Sequence, residues 1–177
     1  MFPTTKRKTQ RVLPRVLFLL ALLIALAGIG QSQTASPCTG SQLSIKDEHG
    51  DNAMGGQIGE YYSFKNGSQS PCTLKGAPTI ALLDGAGHKI PGQKAMQSED
   101  TAETVTLQPG GKAFFSIDYR SCEVMRKAGY RERCVTAARL QIEAPETKHK
   151  FVLKRNINPE KLQLRVSPVM SKDPTAP

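Results

Sequence analysis

The 177-residue sequence contains no tryptophan, and aromatic residues of any kind make up only 6% of it. It contains no Cys-x-x-Cys pair and no Gly-x-Ser-x-Gly elbow. No Lys/Arg stripe is interleaved with aromatics, and there is no internal repeat or heptad pattern. Each absence excludes something. Without the elbow or a spare thiol beside a histidine, there is no recognisable activated nucleophile. Without Cys-x-x-Cys, and with cysteine spacings unlike a zinc knuckle, the cysteines do not read as a redox pair or metal cluster. Without a basic stripe carrying aromatic stacking residues, nucleic acid is disfavoured as a partner.

Charge of one sign is missing from the start of the chain. Residues 1–15 carry Lys6, Arg7, Lys8, Arg11 and Arg15 and no acid. The run from Val16 to Ile29 (VLFLLALLIALAGI) is uncharged and apolar. This is the layout of a secretory signal, with small residues suitable for cleavage at Ala27 or, preferred here, Gly30. The run is shorter than the roughly 20 apolar residues a membrane-spanning helix needs, although an uncleaved anchor is the competing reading. No stable membrane span is expected after cleavage. Cys38 lies too far from the apolar run to be a lipobox cysteine. Export to the periplasm or beyond is the expectation, in four segments. They are residues 1–30 as signal, 31–37 as linker, 38–168 as one folded domain and 169–177 as a flexible tail.

Removing the signal changes the electrostatics. The formal charge of the whole chain is +9, from 24 basic and 15 acidic residues. Five of the basic residues leave with the signal, so 19 remain against 15 acids, a net +4. That is ordinary solubility charge rather than a polyanion-binding excess. Apolar residues amount to only 38%, and a modest core in an exported domain commonly leans on disulfides.

Four cysteines supply them: Cys38, Cys72, Cys122 and Cys134. Four cysteines allow three pairings, and order along the chain does not choose between them. Local geometry favours one. A Cys122–Cys134 bridge would close the short polar excursion EVMRKAGYRER at its base. Cys38 would then clamp the first strand to Cys72. In the chain-entropy picture each closure is worth about 3–4 kcal/mol.

Between these cysteines run short alternating segments punctuated by Gly, Pro and Asn, the pattern of an all-β sandwich or barrel. Strands are expected over residues 42–46, 58–65, 79–83, 104–107, 112–119, 135–143, 151–153 and 162–166. Asn66-Gly67, Asp84-Gly85-Ala86-Gly87 and Pro109-Gly110-Gly111 mark turns. Only residues 98–103 and 123–129 suit helix, and both are short. Tyr61-Tyr62 and Phe114-Phe115 must split between sheet faces. One of each pair is expected in the core, with Tyr61 and one of the phenylalanines as candidates for exposure.

The segment Cys72-Thr73-Leu74-Lys75-Gly76-Ala77-Pro78 is the most specific motif. Around it lie Cys38 before Gln42-Leu43, Gly55-Gly56 before an aromatic strand ending at Asn66-Gly67, and Leu83-Asp84 with Gly87. Leu107, Pro109-Gly110-Gly111 and a late cysteine complete the layout. Over residues 37–168 this resembles the bacterial exported family known as the domain of unknown function numbered four thousand two hundred and thirty-two. The resemblance implies an immunoglobulin-like antiparallel β-sandwich, secreted or lipid-anchored, and brings no catalytic residues. Members of that family commonly carry a Trp before the third cysteine, where this chain has Asp118-Tyr119-Arg120-Ser121-Cys122. The insertion between Cys122 and Cys134 is also longer.

The functional expectation is a non-catalytic domain that binds or scaffolds in the periplasm or envelope, without cofactor. Its candidate contact is the basic excursion, through Arg126, Lys127, Tyr130, Arg131 and Arg133, toward an envelope protein or glycan. Two alternatives belong to other classes. His49 and His88 with Met54 or Met96 offer donors for copper handling, whereas His149, between two lysines, reads as a surface residue. A hydrolase would need two of the scattered carboxylates (Glu60, Asp84, Asp118, Glu143 or the pairs Asp47-Glu48 and Glu99-Asp100) to converge in space. Asn66-Gly67-Ser68 is formally a glycosylation sequon, but a hairpin turn is the simpler reading.

Overall fold

A computed structural model of the chain describes residues 35–48, 55–131 and 133–174. The expected signal segment, His49 and Met54 lie outside the described residues. The strands are β1 (Ser36–Pro37), β2 (Leu43–Asp47), β3 (Gln57–Asn66), β4 (Cys72–Lys75), β5 (Thr79–Leu83) and β6 (Lys94–Gln97). They continue as β7 (Thr104–Leu107), β8 (Lys112–Arg120), β9 (Ala137–Glu143), β10 (Lys150–Ile157) and β11 (Gln163–Val166), with one short helix, α1 (Cys122–Lys127), between β8 and β9. Three sheets result: β2-β3-β8-β11-β6, β10-β9-β5 and β1-β4-β7.

The period-2 alternation of apolar residues makes this arrangement. In β8, Ala113, Phe115, Ile117 and Tyr119 fall on one face and are buried. Opposite them on β3 stand Tyr62 and Phe64. Phe115 stacks on both, with ring centroids 5.6 and 5.0 Å apart. Ile80 and Leu82 of β5, Leu140 and Ile142 of β9, and Leu74, Val105 and Leu107 of β4 and β7 close the same core from the other two sheets. Each such side chain contributes about 1.5–3 kcal/mol on burial, and together they give a sandwich-like packing of sheets around one apolar interior.

Several expectations are corrected. The sheets are not wholly antiparallel: β1 pairs parallel with β4, and β6 parallel with β11. Neither pair is joined by a hairpin, so no tight turn fixes its direction. β6 itself was not anticipated, because Lys94–Gln97 shows no apolar alternation and all four residues are exposed. Residues 98–103 are not helical. The Ser98 hydroxyl donates to Asp100 at 2.6 Å and the Ser98 amide extends the β6–β11 ladder to Val166, local bonds that compete with helix. Ser36 and Pro37 belong to a strand rather than a linker. Val169 is buried and Met170 exchanges two backbone hydrogen bonds with Phe114, each 2.8 Å, so those two residues are not tail.

Asn66-Gly67 does not make a hairpin either, because the chain leaves one sheet there and enters another. Asn66 is fully buried, its amide nitrogen donating to the carbonyls of Ser70 and Leu107. Its oxygen accepts from the amide and hydroxyl of Ser68. The formal sequon is therefore sealed in the fold. By contrast, Pro109-Gly110 forms the turn it advertises. Gly110 has φ +78° and the Gly111 amide donates to Gln108 at 2.8 Å, the arrangement that favours Gly at the third position. Phe114 is not exposed, since only 6% of its surface is accessible and the Lys112 ammonium lies 5.7 Å from its ring centre.

Candidate partner-binding site

The excursion between β8 and β9 is built as a knob with a closed base. Ser121 begins it: its hydroxyl accepts from the Val124 amide at 3.4 Å, capping α1. Glu123 in the first turn and Arg126 and Lys127 in the last complement the helix dipole. The helix ends in a Schellman arrangement. The Gly129 amide donates to Arg126 and the Tyr130 amide to Met125, with Gly129 at φ +98°, a conformation glycine adopts without strain. That reversal sends the chain back on itself, and Cys134 bonds Cys122 with their Cα atoms 5.5 Å apart. Met125 is buried beneath, close to Gly56, where an added Cβ would lie 3.1 Å from Val124.

The other described side chains of the excursion before Cys134 are exposed. Arg126, Lys127, Tyr130, Arg131 and Arg133 are all exposed, Tyr130 by 55%. Val124 and Val135 are exposed beside them at 43% and 38%. Lys127 pairs with Glu123 at 3.1 Å. Arg126, Arg131 and Arg133 have no ion pair among the described residues. Three guanidiniums without an ion pair among the described residues and one exposed phenol thus stand on a covalently closed frame; a guanidinium is the side chain best suited to bidentate pairing with carboxylate or phosphate.

A second polar cluster was missed in the sequence. Glu60 lies on the inner face of β3 and its side chain is 4% exposed. It accepts from the Tyr62 hydroxyl at 2.5 Å and from Tyr119 at 3.0 Å, and pairs with Arg155 at 3.3 Å. Arg155 also reaches Asp47 at 3.4 Å. A bulge in β10 between Lys154 and Ile157 accompanies this inward position of Arg155. Burial, and then the charge of Glu60, push the Tyr62 phenol well above its usual range. Burial acts to lower the Arg155 pKa, but Glu60 outweighs it and holds the guanidinium more firmly protonated than usual. The signal was present, because Glu60 alternates in phase with Ile58, Tyr62 and Phe64.

On the opposite face, Glu48 accepts from Ser63, Lys112 at 2.7 Å and Lys46 at 3.2 Å. Burial raises its pKa, but these three donors and the charge of Lys112 outweigh it and hold the carboxyl down to about 2.

The described histidine and methionine candidates do not converge on one another. His88 stands on the turn after β5, 3.5 Å from Asp84 and largely exposed. Hydrogen bonds from the backbone, that of His88 foremost, keep the Asp84 carboxyl below its usual pKa. His149 packs edge-on against Phe151 just before β10. Met96 is exposed on β6, lining a groove of about 530 Å³ with Asp118 and Arg165. Among the described residues no three His, Cys, Asp or Glu side chains group as metal ligands. Of the candidate acids, Glu60 and Asp47 meet at Arg155, and Glu99, Asp100 and Asp118 line the groove beside Met96.

Compared with known families, residues 38–170 match the domain of unknown function DUF4232. The chain belongs to that family. No curated protein and no solved structure matches it. In this DUF4232 domain the second bridge joins Cys38 to Cys72, Cα atoms 4.8 Å apart, tying the segment before β2 to β4. Two disulfides and no free cysteine among the described residues suit an oxidising, non-cytoplasmic compartment. Among those residues no helix is long and apolar enough to cross a membrane.

Proposed function

We propose that this DUF4232 domain is a periplasmic or secreted, non-catalytic binding module with an immunoglobulin-like sandwich as its scaffold. Its contact surface is the bridged knob, and its partner is an acidic protein or glycan of the cell envelope. One observation carries the reading: Arg126, Arg131 and Arg133, without an ion pair among the described residues, are exposed together with Tyr130 on a loop held by Cys122–Cys134. Arg and Tyr are the side chains that anchor interfaces most often, and a pre-shaped loop loses little entropy on docking. Glu60 and Asp47 are bridged by Arg155, an arrangement that suits packing rather than proton transfer. The test uses the oxidised exported chain with poly-L-glutamate and polygalacturonate as probes. Arg126→Glu with Arg131→Glu and Arg133→Glu should weaken binding about tenfold or more, chiefly at low salt. Unchanged binding by that variant overturns the reading. A preference for one probe tells protein from glycan.

A further inference from the structure

The two edges of the β10-β9-β5 sheet are treated differently. At β5, Gln93 occupies the backbone of Leu82, accepting from its amide at 2.6 Å and donating to its carbonyl at 3.1 Å. The Ile90 amide also bonds to Leu82, and Leu83 bridges Lys89. That edge is closed by side chain and turn. β10 has β9 as its only neighbour in the sheet among the described residues. Among the described residues, Lys150 to Lys154 make no backbone hydrogen bond outside the β9 ladder. At eight residues β10 exceeds the five of β2 and the four of β6, which also end sheets.

The side chains along this edge have a definite order. Phe151 and Leu153 turn inward against the core, while Lys150, Val152 and Lys154 are exposed, Val152 by 52%. Neither lysine has an ion pair among the described residues. Across the ladder Glu143 faces Lys150, Gln141 faces Val152 and Arg139 faces Lys154. The face is thus net basic, with one apolar side chain between two ammonium groups.

We propose that the outer edge of β10 is a strand-addition site for an extended partner peptide that places an acid on each side of an apolar residue. Added strands gain main-chain hydrogen bonds from the open edge and specificity from alternate side chains. An apolar residue opposite Val152 puts acids opposite Lys150 and Lys154, the favourable cross-strand pairing. The same lysines disfavour a second copy of this chain. Antiparallel self-pairing centred on Val152 sets Lys150 against Lys154, and parallel in-register pairing sets each lysine against itself. Lysines on an edge block self-association, and here they also define the charge of what the edge accepts. The site is separate from the knob.

The experiment is hydrogen exchange on the oxidised exported chain with the peptide Thr-Glu-Thr-Val-Thr-Glu-Thr, capped at both ends, and its analogue with Lys in place of Glu. The acidic peptide should protect amides in residues 150–154 saturably and bind about tenfold more tightly than the basic one. Lys150→Glu with Lys154→Glu should invert that preference. The knob variant Arg126→Glu with Arg131→Glu and Arg133→Glu should bind the acidic peptide as well as wild type, which separates this site from the proposed function. Equal binding of the two peptides, protection confined to residues 122–134, or protection of β10 that rises with protein concentration alone would each overturn the proposal.

Discussion

The same covalent bond does different work at the two ends of this DUF4232 domain. Cys38–Cys72 spans a sequence separation of 34, and both sulfurs sit in the main core beside Leu74 and Leu107. Cys122–Cys134 spans a separation of 12 and closes a loop whose side chains are mostly in solvent. The first bridge holds sheets together. The second shapes a surface, because without it the chain from Gly129 to Val135 has few buried side chains to hold it. Stability and recognition are therefore assigned to different cysteine pairs, and the two can be broken separately.

The largest effect is expected in the core. Glu60→Ala takes the shared acceptor from two tyrosine hydroxyls and leaves Arg155 with Asp47, and breaking a largely buried network this way costs about 3–5 kcal/mol. Urea unfolding of the oxidised domain measures it, and a cost below about 1 kcal/mol would mean that the cluster is effectively hydrated. Next comes the long bridge. Cys38→Ala with Cys72→Ala should cost about 4 kcal/mol by loop entropy, whereas Cys122→Ala with Cys134→Ala should cost about 3 kcal/mol at most. Hydrogen exchange should show the second loss confined to the knob, and equal exchange across both regions would erase the distinction drawn here.

A smaller effect follows from Glu48. Its folded pKa of about 2 lies below its ordinary value of 4.5. The stability it contributes is thus fully present above about pH 4.5 and is lost as pH falls toward 2. Acid unfolding of Glu48→Gln should show a flatter dependence in that window, and an unaltered slope would remove Lys112 and Ser63 as its cause. Smallest of all in stability are the knob arginines. Their substitution should shift unfolding by no more than about 0.5 kcal/mol, since they are exposed and without an ion pair among the described residues.

This division of labour was legible in parts. The all-β class came through because β9 and the aromatic part of β3 show the period of two, while β5 and β8 are short apolar runs bounded by turn residues. β6 and the far half of β10 did not, because Lys94–Gln97 is exposed and held by pairing with β11, and Lys154, Arg155 and Asn156 offer no apolar residue before Ile157. The buried acid was overlooked for a related reason. Glu60 occupies a core position by register, and only its three partners, drawn from β3, β8 and β10, make that position tolerable. The short helix overlaps the stretch 123–129 that suited helix, and four of the five outward side chains stood out by their charge.

The most direct test of the central claim keeps every charge and removes only the frame. Oxidised wild type and Cys122→Ala with Cys134→Ala would be titrated with poly-L-glutamate under conditions where both are folded. The account predicts that the variant retains its sandwich yet binds about tenfold more weakly, because the arginines no longer share one shape. Equal binding by both proteins would contradict it, showing that net charge alone, and not the bridged knob, attracts the polymer.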